Sequence, residues 1–124
     1  MVGNAILNLL KEKNYDIITR PKSKLNLLNQ KSVINFFKKN PIDQIYIAAA
    51  KVGGIHANNQ YPAQFIYENL MIESNLIHSA FLCGIKKVLF IGSSCIYPKF
   101  SKQPIKEKYL LSGYLEKTNE PYAI

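Results

Sequence analysis

The residues with the clearest chemical potential follow an apolar run that ends in Gly92-Ser93-Ser94. A buried strand over Lys87–Ile91 would deliver the two serine hydroxyls at the carboxyl edge of a parallel sheet, where open α/β sheets bind their ligands. Tyr122 stands 29 residues after Ser93, in a helix start at Asn119-Glu120-Pro121. A serine hydroxyl and a tyrosine phenol at such an edge can together protonate a carbonyl oxygen. The alternative, that the serines only turn the chain, stays open at this point.

A second candidate site is the basic segment Thr19-Arg20-Pro21-Lys22-Ser23-Lys24, which holds three cations and no acid. After the second strand of a dinucleotide-binding fold, an acidic residue binds the ribose of NAD, whereas basic residues accommodate the 2′-phosphate of NADP. Arg20 is the sole arginine of the chain, and its guanidinium could form a bidentate pair with a phosphate. The segment therefore predicts NADP as cofactor, with an exposed basic loop as the alternative.

These sites need a framework, and the hydrophobic pattern predicts one. Apolar residues at helical spacing predict helices over Val2–Lys13, Gln30–Asn40 and Pro62–Cys83, the last ended by Gly84. Strands are predicted over Tyr15–Thr19, Asp43–Ala50 and Lys87–Ile91, the last two buried. This alternation predicts an α/β fold with a Rossmann-type doubly wound parallel sheet and helices on both faces. We expect residues 1–124 to form one partial NAD(P)-binding Rossmann domain.

Both ends of the sequence look interrupted. Met1-Val2-Gly3 is typical of the end of a glycine-rich turn whose strand and first glycines are missing. The helix that begins at Asn119-Glu120-Pro121 stops after Ile124. We therefore expect a sheet that lacks its first strand, and a chain that is inactive alone.

The composition and charge argue against several classes of function. The net charge of +8 comes from scattered lysines with no basic block longer than a pair. Nucleic-acid binding is disfavoured because arginine, which contacts guanine and stacks on bases, is almost absent. No apolar run is long enough for a membrane span. The two cysteines, Cys83 and Cys95, predict a reducing, cytoplasmic compartment and exclude a four-cysteine metal site.

Four segments carry a specific family resemblance: AAAKVGGIHANN (48–59), YPAQFIYENLMIESN (61–75), GSSCIYPK (92–99) and TNEPYAI (118–124). Over essentially its whole length the chain resembles the GDP-L-fucose synthase family of extended short-chain dehydrogenases/reductases. The resemblance implies an NADPH-dependent 3,5-epimerisation and 4-reduction of GDP-4-keto-6-deoxy-D-mannose to GDP-L-fucose. It also implies a GDP-sugar substrate, a homodimer formed through the long helices, and a C-terminal substrate domain that this chain lacks.

The resemblance also implies catalytic roles for three residues. Ser93 matches the catalytic serine, Tyr122 matches the acid that protonates the ketone oxygen, and Cys95 matches the acid/base of epimerisation at C3 and C5. The lysine that follows the tyrosine by four residues in this family would fall at position 126, beyond Ile124. The histidine partner of the cysteine also falls outside the chain. Cys83 is assigned to core packing.

The remaining candidates concern the cofactor. Gly3 would let the first helix pack close to the strand and the cofactor. The alanines at the end of the predicted strand over Asp43–Ala50 would leave room for adenosine and ribose, and Ile91–Ser93 would flank the nicotinamide. We expect no metal. His56 is assigned to loop structure, and His78 to helix packing or a surface position. The full set of predicted cofactor-binding residues is Val2, Gly3, Arg20, Lys22, Leu25, Ala48, Ala49, Ala50, Ile91, Gly92 and Ser93.

Two alternatives remain. Another NAD(P)-dependent nucleotide-sugar epimerase or dehydratase would share the fold, but its active-site loop would not need Cys95. An inactive remnant or interaction module would keep the sequence without the reaction. Substrate specificity distinguishes the first alternative from the enzyme that the resemblance implies. Measurement of turnover distinguishes the second alternative from it.

Overall fold

The computed structural model describes every residue from Met1 to Ile124. Two short 3-10 turns, Ser94–Ile96 and Glu107–Tyr109, lie in the last third of the chain. Five of the predicted elements are confirmed within a few residues, and the helix expected after Asn119 is present as a single turn. The helices are α1 (Val2–Glu12), α2 (Gln30–Lys39), α3 (Ile55–Gln60), α4 (Pro62–Leu82) and α5 (Glu120–Ala123), and the strands are β1 (Gln44–Ile47) and β2 (Lys87–Phe90).

Helix α4 is the longest element, with 21 residues. It ends as predicted at Gly84, which adopts a left-handed conformation with φ +71°. The N–H of Ile85 donates to the carbonyl of Ala80 and the N–H of Gly84 to that of Phe81, the bond pattern of a Schellman motif. Neither α4 nor any other helix combines the length and the apolar character needed to cross a membrane.

The sheet consists of β1 and β2, which run parallel. Gln44 pairs with Lys87 and Ile47 with Phe90, so the strands align over their full length. Parallel neighbours need a crossover connection, and here α3 and α4 supply it. The chain therefore has the partial Rossmann-type α/β fold that the alternation predicts.

The chain divides into two compact units, of which unit 1 comprises residues 1–49 and 71–90. Its core brings together Val33 and Phe37 from α2, Ile47 from β1 and Leu76 from α4. Cys83 packs against this cluster, which confirms its assignment to the core. Nearby, the buried amide of Asn75 donates to the carbonyl of Leu27 at 2.8 Å.

The predicted strand over Tyr15–Thr19 is wrong, since these residues form neither strand nor helix. A strand exists only where a second segment pairs with its backbone groups. In this chain the sheet contains β1 and β2 alone. The β-rich composition of the segment is a local signal, whereas pairing is a property of the whole fold.

The predicted burial of the last strand is also wrong, and in β1 only Ile47 is buried, whereas Tyr46 is exposed. All four residues of β2 are exposed, including the apolar side chains of Val88, Leu89 and Phe90. Strand β2 pairs with β1, and no other strand borders it. The apolar run thus predicts that a strand forms. Whether its side chains are buried depends on other segments that pack against it, and the local sequence does not specify these.

Unit 2 comprises residues 50–70 and 91–124. It contains α3, the first turns of α4, both 3-10 turns and α5. Its most buried side chains are Phe65 and the amides of Asn58 and Asn69. Asn69 holds Lys51 at both backbone groups, because its Oδ1 accepts from the Lys51 N–H at 2.7 Å and its Nδ2 donates to the Lys51 carbonyl at 3.2 Å.

Candidate active site

The predicted catalytic residues Ser93 and Cys95 lie on one tight turn after β2. Ser93 is the N-cap of the Ser94–Ile96 turn, and its Oγ accepts from the Cys95 N–H at 3.3 Å. Because the hydroxyl oxygen is the acceptor in this bond, its own proton is free to donate elsewhere. Both side chains are half-buried.

Tyr122 lies on α5, and α5 lies beside the Ser94–Ile96 turn. Asn119 is the N-cap of this helix and Pro121 lies in its first turn, and the Tyr122 N–H donates to the Asn119 carbonyl at 2.9 Å. The structure therefore brings the segments that carry Ser93, Cys95 and Tyr122 into the same part of unit 2.

Two asparagines that the sequence patterns did not single out also belong to this region. Asn119 Nδ2 is 4.0 Å from Cys95 Sγ, and Asn119 Oδ1 accepts from Asn58 Nδ2 at 3.2 Å. The sequence indicated Asn119 only as the N-cap of the helix that contains Pro121, and not as a residue of the site. Asn58 gave no signal, because α3 was not predicted and a buried asparagine does not mark a helix face.

Cys95 borders a cavity of about 280 Å³. An ion pair between Lys99 and Glu116 forms part of the wall. The hydrogen bond from Lys99 holds the pKa of the Glu116 carboxyl below its usual value, against a smaller opposing effect of desolvation. Ser101 Oγ is buried in the structure without a hydrogen-bond partner. The lining consists of Ser94, Cys95, Tyr97, Pro98, Lys99, Ser101, Gln103, Ile105 and Glu116.

The predicted phosphate-binding cations lie on an exposed turn of unit 1. The Arg20 guanidinium donates to the Thr19 carbonyl at 2.7 Å and lies 5.6 Å above the ring of Phe36. The two ion pairs of the chain join Lys51 to Glu68 and Lys99 to Glu116. Arg20, Lys22 and Lys24 therefore have no carboxylate partner, and the ammonium groups and the N–H donors of Arg20 other than the one bound to Thr19 remain available to an anion.

The start of α1 contains Val2 and Gly3, and no side chain caps it. Its first N–H groups are therefore free to bind an anion. A Cβ placed on Gly3 would lie 3.4 Å from that of Ala48, so Gly3 and the segment after β1 are in contact range. Leu25 is half-buried, and its N–H donates to the Pro21 carbonyl at 3.1 Å.

The other predicted cofactor residues follow the two strands. Ala48 and Ala49 come directly after β1 in unit 1, whereas Ala50, Ile91 and Gly92 belong to unit 2. Ala48, Ala50 and Gly92 are exposed, and Ala49 and Ile91 are half-buried.

The two histidines are both exposed. His56 lies on α3 and not in a loop, so the loop assignment is wrong. His78 lies on α4 with its ring 6.5 Å from that of Phe81, in line with a surface position.

A comparison with family models matches residues 1–124 to the NAD dependent epimerase/dehydratase family. Among curated proteins, the chain is 57% identical to the GDP-L-fucose synthase of Escherichia coli over 125 residues. That alignment covers all of this chain and 39% of the relative, so the chain spans about two fifths of its length.

Two solved structures extend the comparison. A protein named DdhaC shares 51% identity and superposes with a TM-score of 0.95, over 98% of this chain and 35% of its own. A GDP-mannoheptose C4 reductase from Campylobacter jejuni, solved with NADP bound, shares 38% identity with a TM-score of 0.87, over 95% of this chain and 37% of its own.

Proposed function

The chain belongs to the NAD dependent epimerase/dehydratase family, and we propose that it carries the catalytic residues of an enzyme that converts GDP-4-keto-6-deoxy-D-mannose to GDP-L-fucose. The proposed reaction inverts C3 and C5 of the sugar and then reduces the ketone at C4. The supporting observation is the position of α5 beside the Ser94–Ile96 turn, which joins the segments of Ser93, Cys95 and Tyr122. We also propose that residues 1–124 together are part of one NAD(P)-binding domain.

In the reduction, Tyr122 would give its phenolic proton to the ketone oxygen, and Ser93 would donate a hydrogen bond to the same oxygen. These donors stabilise the negative charge that develops there as C4 receives a hydride. NADPH supplies that hydride when bound. The free hydroxyl proton of Ser93, whose oxygen accepts from the Cys95 N–H, fits this role.

In the epimerisation, Cys95 would exchange protons with C3 and C5. Both carbons flank the C4 ketone, so removal of a proton from either one leaves an enolate that the carbonyl stabilises. Inversion then requires that a second acid returns a proton to the opposite face of the same carbon, a role for which the resemblance implies the histidine partner that lies beyond residues 1–124. A thiol that borders an open cavity is accessible to a sugar, and the thiolate is the form that accepts a proton.

The residues of unit 1 fit the phosphates of NADP. The uncapped start of α1 at Val2 and Gly3 suits a pyrophosphate, because free N–H groups and the helix dipole favour an anion. Arg20, Lys22 and Lys24 lack carboxylate partners and suit a 2′-phosphate. The remaining assignments, to Leu25, Ala48, Ala49, Ala50, Ile91, Gly92 and Ser93, are proposals of contact with the adenosine, ribose and nicotinamide groups.

We further propose that the enzyme is a cytoplasmic homodimer. Ile77 and Phe81 lie one helical turn apart on α4 and are about half exposed or more, and exposed apolar side chains on one face favour contact with a second copy. The two cysteines are free thiols, as a reducing compartment requires. Sedimentation velocity of the wild-type chain and of Phe81→Glu tests the assembly.

A segment transplant tests the proposed reaction. The 124 residues replace the matched segment of the Escherichia coli relative, and the resulting transplant enzyme is supplied with GDP-4-keto-6-deoxy-D-mannose, NADPH and deuterated water. We expect NADPH oxidation, GDP-L-fucose as product, and deuterium at C3 and C5 by mass spectrometry and NMR. A folded transplant enzyme that binds NADPH but does neither reaction would contradict the proposal.

A second candidate function is C4 reduction without epimerisation. It is favoured by the similarity to the GDP-mannoheptose C4 reductase. Cys95→Ser in the transplant enzyme separates the two candidates. A reductase without epimerisation would keep its turnover in this variant. The proposed enzyme would lose deuterium exchange at C3 and C5 and would still bind NADPH.

A further inference from the structure

Three side chains of unit 2 form a short polar chain that ends at the sulfur of Cys95. Asn58 Nδ2 donates to Asn119 Oδ1 at 3.2 Å, and Asn119 Nδ2 is directed at Cys95 Sγ across 4.0 Å. The three residues come from separate segments: α3, the residue that precedes α5, and the Ser94–Ile96 turn. Contacts over such distances in sequence form only when the unit is folded.

The first member of this chain is an unusual choice for its position. Asn58 is 3% exposed, and its Oδ1 is shielded from water without a hydrogen-bond partner. A buried acceptor that lacks a donor destabilises the fold, and an apolar side chain of similar size would avoid that cost. The buried amides of Asn69 and Asn75 bind backbone groups. Asn58 differs from them in that its partner is another side chain.

We propose that Asn58 and Asn119 are a positioning pair that holds an N–H donor against Cys95 Sγ; the inference rests on the role proposed above for Cys95. An amide can turn by half a rotation and exchange its oxygen and nitrogen. In the structure Asn58 donates to the Asn119 oxygen, and the amino end of Asn119 faces the sulfur. An N–H that faces sulfur stabilises the thiolate, whereas an oxygen in its place would repel it.

The other titratable groups near Cys95 are Tyr97, Lys99 and Glu116, which line the same cavity, and Tyr122 on the adjacent α5. Lys99 is paired with Glu116, so its charge is balanced next to the thiol. The Asn119 amide, unlike these groups, does not itself gain or lose a proton as the pH changes. Its contribution to the thiolate can be separated from those of the ionising groups by substitution.

The test is the pH dependence of alkylation of Cys95 in the full chain. Iodoacetamide reacts with the thiolate, and peptide mass spectrometry follows Cys95 and Cys83 separately. We expect Asn119→Ala to slow alkylation of Cys95 at neutral pH by about threefold to tenfold, with an unchanged plateau at alkaline pH. Asn58→Ala should slow it by about twofold to threefold, since Asn119 then turns freely.

The isosteric substitution Asn58→Asp is a second test. It keeps the shape of the side chain, removes the donor and places a carboxylate opposite Asn119, and its negative charge adds to the effect by disfavouring a thiolate nearby. The amino end of Asn119 should then turn away from the sulfur, so alkylation should be slower than in Asn58→Ala. Asn75→Ala is the control for loss of a buried amide, and it should leave the Cys95 profile unchanged.

Unaltered alkylation of Cys95 in Asn119→Ala would overturn the proposal, and so would the same slowing in Asn75→Ala. Faster alkylation of both cysteines would indicate loosened packing, which also contradicts a positioning role. If the Asn58 variants do not fold, the half-buried Asn119 decides alone. Alkylation needs neither substrate nor turnover, so failure of the transplant enzyme to react would leave this measurement intact.

Discussion

Unit 1 and unit 2 differ in what they bury. The centre of unit 1 is an apolar cluster that includes Val33 and Phe37. Unit 1 also buries the amide of Asn75, but most of its buried side chains are apolar. Unit 2 buries one apolar side chain, Phe65, and two amides, Asn58 and Asn69, whose partners are polar atoms of the same unit. Apolar burial is non-directional and tolerates small shifts. Buried amides stabilise only where their hydrogen bonds are met.

The difference indicates that the two units have different roles in the protein. Unit 1 obtains its stability from packing and presents unpaired cations at Arg20, Lys22 and Lys24. Unit 2 fixes directions, since Asn69 holds the backbone of Lys51 and Ser93 caps the turn of Cys95. Substitutions in unit 1 should therefore change stability or cofactor choice, whereas substitutions at Ser93, Cys95 or Tyr122 in unit 2 should change the reaction.

The largest expected effect is on turnover. Tyr122→Phe in the transplant enzyme removes the proposed proton donor, and we expect turnover to fall by roughly 10²–10⁴-fold with little change in unfolding free energy. Initial rates of NADPH oxidation and urea unfolding measure the two quantities. Tyr67→Phe, an exposed tyrosine of the same unit, is the matched control. Equal losses in both variants would remove Tyr122 from the mechanism.

The next effect concerns the apolar core. Phe37→Ala empties a buried site in the cluster of unit 1, and we expect the chain to lose about 3–5 kcal/mol of unfolding free energy. Urea unfolding of the full chain measures it. Phe81 on α4 is 77% exposed, so Phe81→Ala should cost far less. Similar losses in the two variants would mean that the cluster does not support unit 1.

The contrast also explains what the sequence could predict. Helix α2 was predictable because its buried residues, Val33 and Phe37, are apolar and one turn apart. Gly84 was predictable because a left-handed helix end favours glycine. Helix α3 was missed because its buried residue is Asn58. A helix whose buried residue is polar shows no periodic spacing of apolar residues, and that spacing is the pattern from which helices are predicted.

Two errors have a different cause. The segment Tyr15–Thr19 has strand composition but no strand partner, and the side chains of β2 are apolar but exposed. Pairing and covering are decided by distant residues. In the candidate site, Ser93, Cys95 and Tyr122 could be proposed by residue type and resemblance. Asn119 and Asn58 could not, because their roles arise from contacts between segments far apart in sequence.

A third prediction sharpens the role of unit 1 in cofactor choice. We expect the transplant enzyme to bind NADPH more tightly than NADH. Arg20→Ala should reduce the difference in binding free energy between the two cofactors by roughly 1–3 kcal/mol. Fluorescence titration with both cofactors measures it. Lys31→Ala removes an exposed cation on α2 and should leave the preference unchanged. Equal affinities in the parent enzyme would contradict the assignment of the basic segment.

A fourth prediction concerns the buried amides of unit 2. Asn69→Ala leaves the N–H and carbonyl of Lys51 without their partners, so we expect a loss of about 1–3 kcal/mol in unfolding free energy. Asn59→Ala, at an exposed position of α3, is the control and should change stability little. A neutral Asn69→Ala would show that unit 2 does not depend on this clamp.

The smallest expected effects are the pH-dependent contributions of two glutamates to the unfolding free energy. These contributions should have opposite signs in the two units. Burial raises the pKa of Glu73 in unit 1, whereas the hydrogen bond from Lys99 lowers the pKa of Glu116 in unit 2. Ionised Glu73 therefore destabilises the fold at neutral pH, and this penalty disappears as the pH falls from its raised pKa towards the ordinary value of 4.5. Ionised Glu116 stabilises the fold above 4.5, and this gain is lost as the pH falls through its lowered pKa.

Urea unfolding at a series of pH values tests the two signs. Glu73→Gln should raise the unfolding free energy at neutral pH, and Glu116→Gln should lower it. Both differences should vanish in acid, that of Glu73→Gln at the higher pH, because its carboxyl takes up a proton first. Two glutamines that shift stability in the same direction would contradict the contrast between a carboxyl that burial penalises and one that a lysine holds.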